Sequence, residues 1–300
     1  MKGNRCMLCN SKSYSILIDN LYAMGKSHKI AKCSKCGLVF LFPKPLEKEL
    51  NKLYSKKYYE SKSGFPLVEK FYTRLVRNLK VQAINTNIIK ENARVLDIGC
   101  GTGDFLACFK RKGHKCYGLD TSKTAFKLAK AKLGQNIFNC KLGECHFSSG
   151  SFDVILLSHV IEHFSNPNEE LKEIYRVLKD DGTLFISTPN IDSFEFKIAK
   201  EEWYGLSIPL HLYLYSPKTI AMLLKKNGFR IINISYPFLS FPLGLFRSSK
   251  KKILDNRSKL LKPVLLLPLL FSSIMVRLVF FNYRGTMEVV CKKETSRRCN

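Results

Sequence analysis

The chain has 300 residues, room for one large or two modest domains, and at 45% hydrophobic it can bury a real core. Fifty Lys and Arg against 24 Asp and Glu give a formal charge of +26, which favours anionic partners such as nucleic acid, phosphorylated metabolites or an acidic membrane surface, unless a Lys-, Asn- and Ile-rich composition alone explains the excess. Eleven cysteines, odd in number and mostly scattered, argue against a secreted disulfide framework, and the start "MKGNRCMLCN" lacks an apolar signal core, so a reducing cytoplasm is expected.

Cys6-x-x-Cys9 and Cys33-x-x-Cys36, separated by 23 residues, form two matched knuckles. Together they aim four thiolates at one point, a tetrahedral set that suits zinc and leaves no open position for metal catalysis. A single pair would leave a redox role open. Between them "YSILIDN" and "SHKIAKC" read as short strands of a ribbon too small to close an apolar core without metal. His28 reads as a surface residue. Pro43 and Pro45 stop regular pairing and end the module. Tyr54, Tyr58 and Tyr59 either line a pocket mouth or pack between domains. Residues 66–90 read as a helix with Leu67, Phe71, Leu75, Val76 and Leu79 on one side.

"RVLDIGCGTGDFL", residues 94–106, is a short buried strand, a glycine turn and the start of a helix that ends before Gly113. "KCYGLD" gives a second strand ending in Asp120, and "TSKTAFKLAKAKLG" a second helix capped by Thr121 or Ser122. This is one βαβ half of a doubly wound sheet. The glycines let a ligand lie against bare backbone, and the acid after the second strand can grip ribose hydroxyls. A dinucleotide fingerprint would need a third glycine at 104, where Asp104 stands. That acid would repel pyrophosphate, and a ligand with a cationic amino-acid end suits the loop better.

The D-x-G-x-G-x-G run with "GLD" behind it closely resembles the class I S-adenosylmethionine-dependent methyltransferases, over about residues 92–236 and a last strand near 286–292. "GSFDVILLSHVIEHFSNP" and "LKEIYRVLKDDGTLFISTPN" resemble that family's fourth and fifth strands, with Asp181-Gly182 as a turn. The resemblance implies an α/β fold: a seven-stranded doubly wound, Rossmann-like methyltransferase sheet with a small N-terminal zinc ribbon. It implies that Asp97 lies near the cofactor's amino group and that Asp120 takes both ribose hydroxyls. It also lays Gly99, Cys100, Gly101, Gly103, Thr121 and Ser158 along the cofactor. Gly143 or Glu144 stands against adenine, although the family's Leu-Pro pair is missing from "KLGECHFSSGSFD". The ribbon with "CGLVFLFPKP", "HVIEH" and "EEWYGLSIPLHLYLYSPKTIAMLLKKNGF" resemble a bacterial subgroup among sugar, polysaccharide and natural-product tailoring methyltransferases. That implies a small-molecule or glycan acceptor, lipid-linked in some cases.

The expected domains are a zinc ribbon at 1–45, a helical linker or cap at 46–91, and a catalytic domain at 92–236. A basic and apolar insertion follows at 237–283, then the last strand and tail at 284–300. Methyl transfer needs the acceptor held in line and its proton removed, often by histidine. His159 and His163 follow the fourth strand, where one helical face could carry both. His211, in the aromatic "PLHLYLY" stretch, is the first candidate base. Structural roles compete for all three. In the insertion, "RSSKKKILDNRSKLLK" holds seven basic residues and one acid. The 14 uncharged residues between Lys262 and Arg277 are too few to span a bilayer. Residues 247–281 therefore suit a helix lying on an anionic leaflet, or a hairpin packed on protein. An RNA acceptor and a non-catalytic scaffold are the competing functions.

Overall fold

The computed structural model describes residues 5–53, 74–82, 84, 90–237 and 285–294. Tyr54, Tyr58, Tyr59, the first part of the 66–90 helix and the 247–281 segment lie outside them. Two compact units share the chain. One draws on 1–45, 188–222 and 234–288, the other on 46–187, 223–233 and 289–300.

The first unit carries a four-stranded sheet in the order β1 (Tyr14–Ala23), β2 (Lys26–Cys33), β3 (Val39–Phe42) and β9 (Tyr213–Leu214). All three pairings are antiparallel. Met24 and Gly25 both have positive φ, the twist-compatible geometry of a two-residue hairpin between β1 and β2. The compact unit is larger than the 1–45 module expected from the sequence. β9 joins it through Val39↔Leu214 and Phe40↔Tyr213, and a two-residue strand has no periodicity to read. His28, expected at the surface, is buried, with Nδ1 3.3 Å from the Pro43 carbonyl.

The second unit is organised by a seven-stranded sheet in the order β10-β11-β8-β7-β4-β5-β6. Its strands are β4 (Arg94–Ile98), β5 (Lys115–Leu119), β6 (Ile137–Phe138), β7 (Phe152–Ser158), β8 (Leu178–Pro189), β10 (Phe229–Ser235) and β11 (Thr286–Lys293). β4 pairs in parallel with β5 on one side and β7 on the other, so the winding reverses at β4. That switch point leaves a crevice beyond the strands' carboxyl ends. Val95, Leu96, Ile155 and Leu156 have no exposed surface, as strands covered on both faces require. The helix Asp104–Lys110 follows β4, and the helix Lys123–Leu133 follows β5, capped by the Ser122 hydroxyl accepting from Ala125 N–H.

Two expectations fail here. The Asp181-Gly182 turn is absorbed into β8. Phe152 faces Leu178 and Val154 faces Thr183, so residues 179–182 bulge instead of closing a turn. In the described part of the helix expected at 66–90, residues 74–82, Leu75 and Leu79 are exposed and Val81 is buried. The inward face is shifted around the helix and carries Arg77 and Lys80, for a reason visible at the site.

Candidate functional site

Gly99, Gly101 and Gly103 all have positive φ, of 68°, 55° and 73°. Side chains rarely adopt that backbone, but the three differ in what surrounds them. A Cβ on Gly99 would stand 2.6 Å from Val160 Cγ2, and one on Gly103 2.8 Å from Leu133 Cδ1. Gly101 has nothing within 4 Å. Two glycines therefore let the protein pack against its own loop, and the middle one opens bare backbone to a ligand.

Asp120 closes the loop from the side. Its Oδ2 accepts from Gly101 N–H at 2.9 Å and its Oδ1 from Ser122 N–H at 2.8 Å. Burial raises its carboxyl above the ordinary value, opposed by those two hydrogen bonds. Asn139 braces the same residue, its amide donating to the Asp120 carbonyl at 2.7 Å. Asp97 is buried beneath the loop, and its carboxyl is pushed up to about 8 by burial and by the Asp120 charge, with Lys80 pulling the other way. Lys80 also lies 5.1 Å from the Phe185 ring and 5.5 Å from that of Phe105. Asp104, standing where a dinucleotide fingerprint would have its third glycine, pairs with Lys132 and with Arg77 at 3.4 Å. These carboxylates explain why the 74–82 helix turns basic residues inward. A hydrophobic-stripe reading of the sequence could not find Arg77 and Lys80.

Cys100 points back into the protein, where a Cβ on Gly118 would lie 2.9 Å from its Sγ, so only its backbone can face a ligand. Thr121 is exposed, and Ser158 is half-buried at the end of β7. Glu144 turns onto its own chain: Oε2 accepts from Lys141 N–H at 2.9 Å across the 3₁₀ turn Leu142–Glu144. Gly143, with nothing within 4 Å of its Cβ position, is the bare surface of that turn. A disulfide, Cys140–Cys145, brackets the turn. This departs from the expectation of free thiols, which the other eight described cysteines meet.

His159 and His163 do not share a helical face. His159 has φ 57° and lies outside the 3₁₀ turn Ile161–His163. Its N–H donates to the Ser187 carbonyl at 2.8 Å, and its half-exposed ring places Nδ1 3.4 Å from the buried Glu162 carboxylate. His163 is half-buried. In the first unit His211 is buried, with Nδ1 2.7 Å from the Gly205 carbonyl.

The ribbon sulfurs converge. The ligand atoms of Cys6, Cys9, Cys33 and Cys36 all lie within 4.8 Å of one another, with Cys6 to Cys36 and Cys9 to Cys33 both at 3.5 Å. A tetrahedral four-thiolate zinc site has sulfur–sulfur edges of about 3.8 Å, so the set fits. Burial pushes the Cys33 thiol up, yet the Cys36 and Lys35 N–H groups together with the Cys9 and Cys36 thiols outweigh it and bring the group to about 6. Burial drives Cys36 well above the ordinary thiol range.

The sequence profile of the methyltransferase-domain family matches residues 68–234. The chain belongs to that family. It is an S-adenosylmethionine-dependent methyltransferase, on a fold whose glycine loop and strand order fit that cofactor. The methyltransferase is 29% identical over 171 residues to a ubiquinone biosynthesis O-methyltransferase of Pelagibacter ubique, covering 50% of this chain and 71% of that one. It is 27% identical over 206 residues to an uncharacterised protein of Methanocaldococcus jannaschii, 60% of this chain and 78% of that one. Among solved structures, an S-adenosylmethionine-dependent methyltransferase from Archaeoglobus fulgidus superposes with a TM-score of 0.51 at 20% identity, over 76% of this chain and 98% of that one. The cyclase SpnF does so at 0.52 and 15%, over 73% and 81%. Those two likenesses concern the fold alone. Among the described residues no helix is long and apolar enough to cross a membrane.

Proposed function

We propose that the enzyme methylates a small-molecule or glycan acceptor, with Asp120 and the Gly101 backbone as the seat of the donor. The carboxylate of Asp120, aligned by two backbone N–H groups beside an open glycine, carries this reading. Accepting both hydroxyls of a ribose needs such a fixed, bidentate acceptor. S-adenosylmethionine supplies a methyl group already activated on a sulfonium. The protein's share is to hold the acceptor in line and remove its proton. His211 is our candidate for that proton, with His159 second. Because Nδ1 of His211 faces the Gly205 carbonyl, which can only accept, that nitrogen carries a hydrogen.

The same proposal gives Cys6, Cys9, Cys33 and Cys36 a structural zinc, supported by their sulfur spacing. It gives residues 247–281 contact with an anionic leaflet on the cytoplasmic side, supported by seven basic residues beside an apolar run. The test has two stages. Calorimetry with S-adenosylmethionine and with NAD should show binding of the first only, weakened by ~1.5–3 kcal/mol in Asp120→Ala. Labelled methyl transfer is then measured on polar glycan, lipid-linked glycan and RNA fractions. Label in RNA alone would replace the acceptor class proposed here.

A further inference from the structure

The four-stranded sheet has one apolar face too many. By register Ile18, Ile30 and Leu41 share one side, and all three are buried. The pairs Tyr14↔Cys33, Ile16↔Ala31, Tyr22↔Ser27, Ala31↔Phe40 and Lys29↔Phe42 set the other side. An outer sheet face is ordinarily polar. Here Tyr14 is exposed, Ile16 is 42% and Tyr22 77% exposed, and Phe40 and Phe42 are half-buried. A register shift between Ile16 and Ile18 leaves Leu17 outside the ladder and exposed as well. Met24, in the turn, is also exposed. Five of the twelve large apolar side chains exposed among the described residues thus fall within 14–24. Scattered singly such residues are ordinary, but gathered on one hairpin they mark a contact surface.

Charge selects what covers it. Residues 5–45 hold seven Lys and Arg and one acid, Asp19. Asp19 is already paired with Lys29 at 3.0 Å. Lys12, before β1, and Lys26, at the start of β2, are both exposed. A second copy would bring like charges together, whereas an anionic surface is attracted. Nucleobases need open ring faces to stack on. Tyr14 instead meets Phe40 at 75° and Phe42 at 43°, with centroids 5.9 and 5.6 Å apart, so these rings cover one another. Ile16, Leu17 and Met24 offer a base no ring at all. Tyrosine and aliphatic side chains beside lysines suit the boundary between lipid headgroups and acyl chains.

We propose that the β1–β2 hairpin docks on an anionic lipid bilayer. Tyr22 and Met24 enter the headgroup boundary, and Lys12 and Lys26 face the lipid phosphates. The Tyr22 hydroxyl donates to the Gly25 carbonyl at 3.0 Å, so ring and turn enter as one unit. This contact is separate from the one given to residues 247–281 and does not rest on it.

The experiment is flotation of the full chain with vesicles of phosphatidylcholine alone and of an equal mixture with phosphatidylglycerol. Wild type is expected to float with the mixture only. Tyr22→Ser with Met24→Asn should weaken that binding about tenfold. Both positions are exposed, and an unchanged thermal unfolding curve reports that the variant is folded. A second arm places a fluorophore with Tyr22→Trp. Trp203 is the only native tryptophan and is buried, so quenching by brominated lipid reads position 22. Undiminished flotation of the double variant overturns the proposal. So does an unquenched Tyr22→Trp on vesicles that still carry the chain, a result that leaves the reading of 247–281 standing. A double variant that keeps flotation but loses a dimer, or binding to an RNA oligomer, gives the face to a second copy or to nucleic acid instead.

Discussion

In the glycine loop the chain makes room by leaving side chains out, above a floor of fully buried parallel strands. In the ribbon it brings four thiols together beside a first strand with one buried residue in ten. The loop's shape is set by a core that exists without ligand. On the proposed zinc reading, the ribbon's shape depends in part on the metal that joins its sulfurs.

The largest effect should separate the two regions directly. Cys36→Ser, or a strong chelator, is expected to abolish amide-exchange protection in β1 and β2 while β4 and β7 keep theirs. The scale is that of a structural zinc site, on the order of 10 kcal/mol. Equal loss in both regions would end the contrast. Within the loop, Gly99→Ala meets both a left-handed backbone and Val160 at 2.6 Å, and should cost about 2–3 kcal/mol in urea unfolding. Gly101→Ala should cost only about 1 kcal/mol of stability, yet its calorimetric affinity for S-adenosylmethionine should fall by more than that of Gly99→Ala.

Asp97 gives the next effect. Its carboxyl sits at about 8 in the fold against an ordinary value of 3.8. Between those values the folded protein keeps a proton that the unfolded chain has lost. Stability must then fall as pH rises through that window and level off above it. From pH 6 to 8 the loss is about 2 kcal/mol, and Asp97→Asn should remove it when unfolding is compared at the two values. The smallest effect is Glu144→Gln. Its carboxylate serves its own turn, so cofactor affinity should move by less than about 0.5 kcal/mol. A loss above tenfold would return Glu144 to the adenine site.

The glycine loop was legible because each of its features is local: a positive-φ position, the last residue of a strand, a helix cap. Asp120 announces itself by standing after "GL" at the end of β5. The four sulfurs were legible from spacing. Lys80 and Arg77 were not, because periodicity assigns charge to the outside and cannot see that the buried Asp97 and the half-exposed Asp104 face that side of the helix. β9 was invisible for want of length. His28 was misread because one histidine between lysines looks solvated until the Pro43 carbonyl is found beside it.

That two-residue strand ties distant chemistry together. Leu41 N–H donates to the Leu212 carbonyl at 3.0 Å, and Tyr213 and Leu214 pair with Phe40 and Val39. His211 is thus one peptide bond from a splint whose other end begins three residues past Cys36. A disturbance among the sulfurs has a short mechanical route to an imidazole about 175 positions away along the chain.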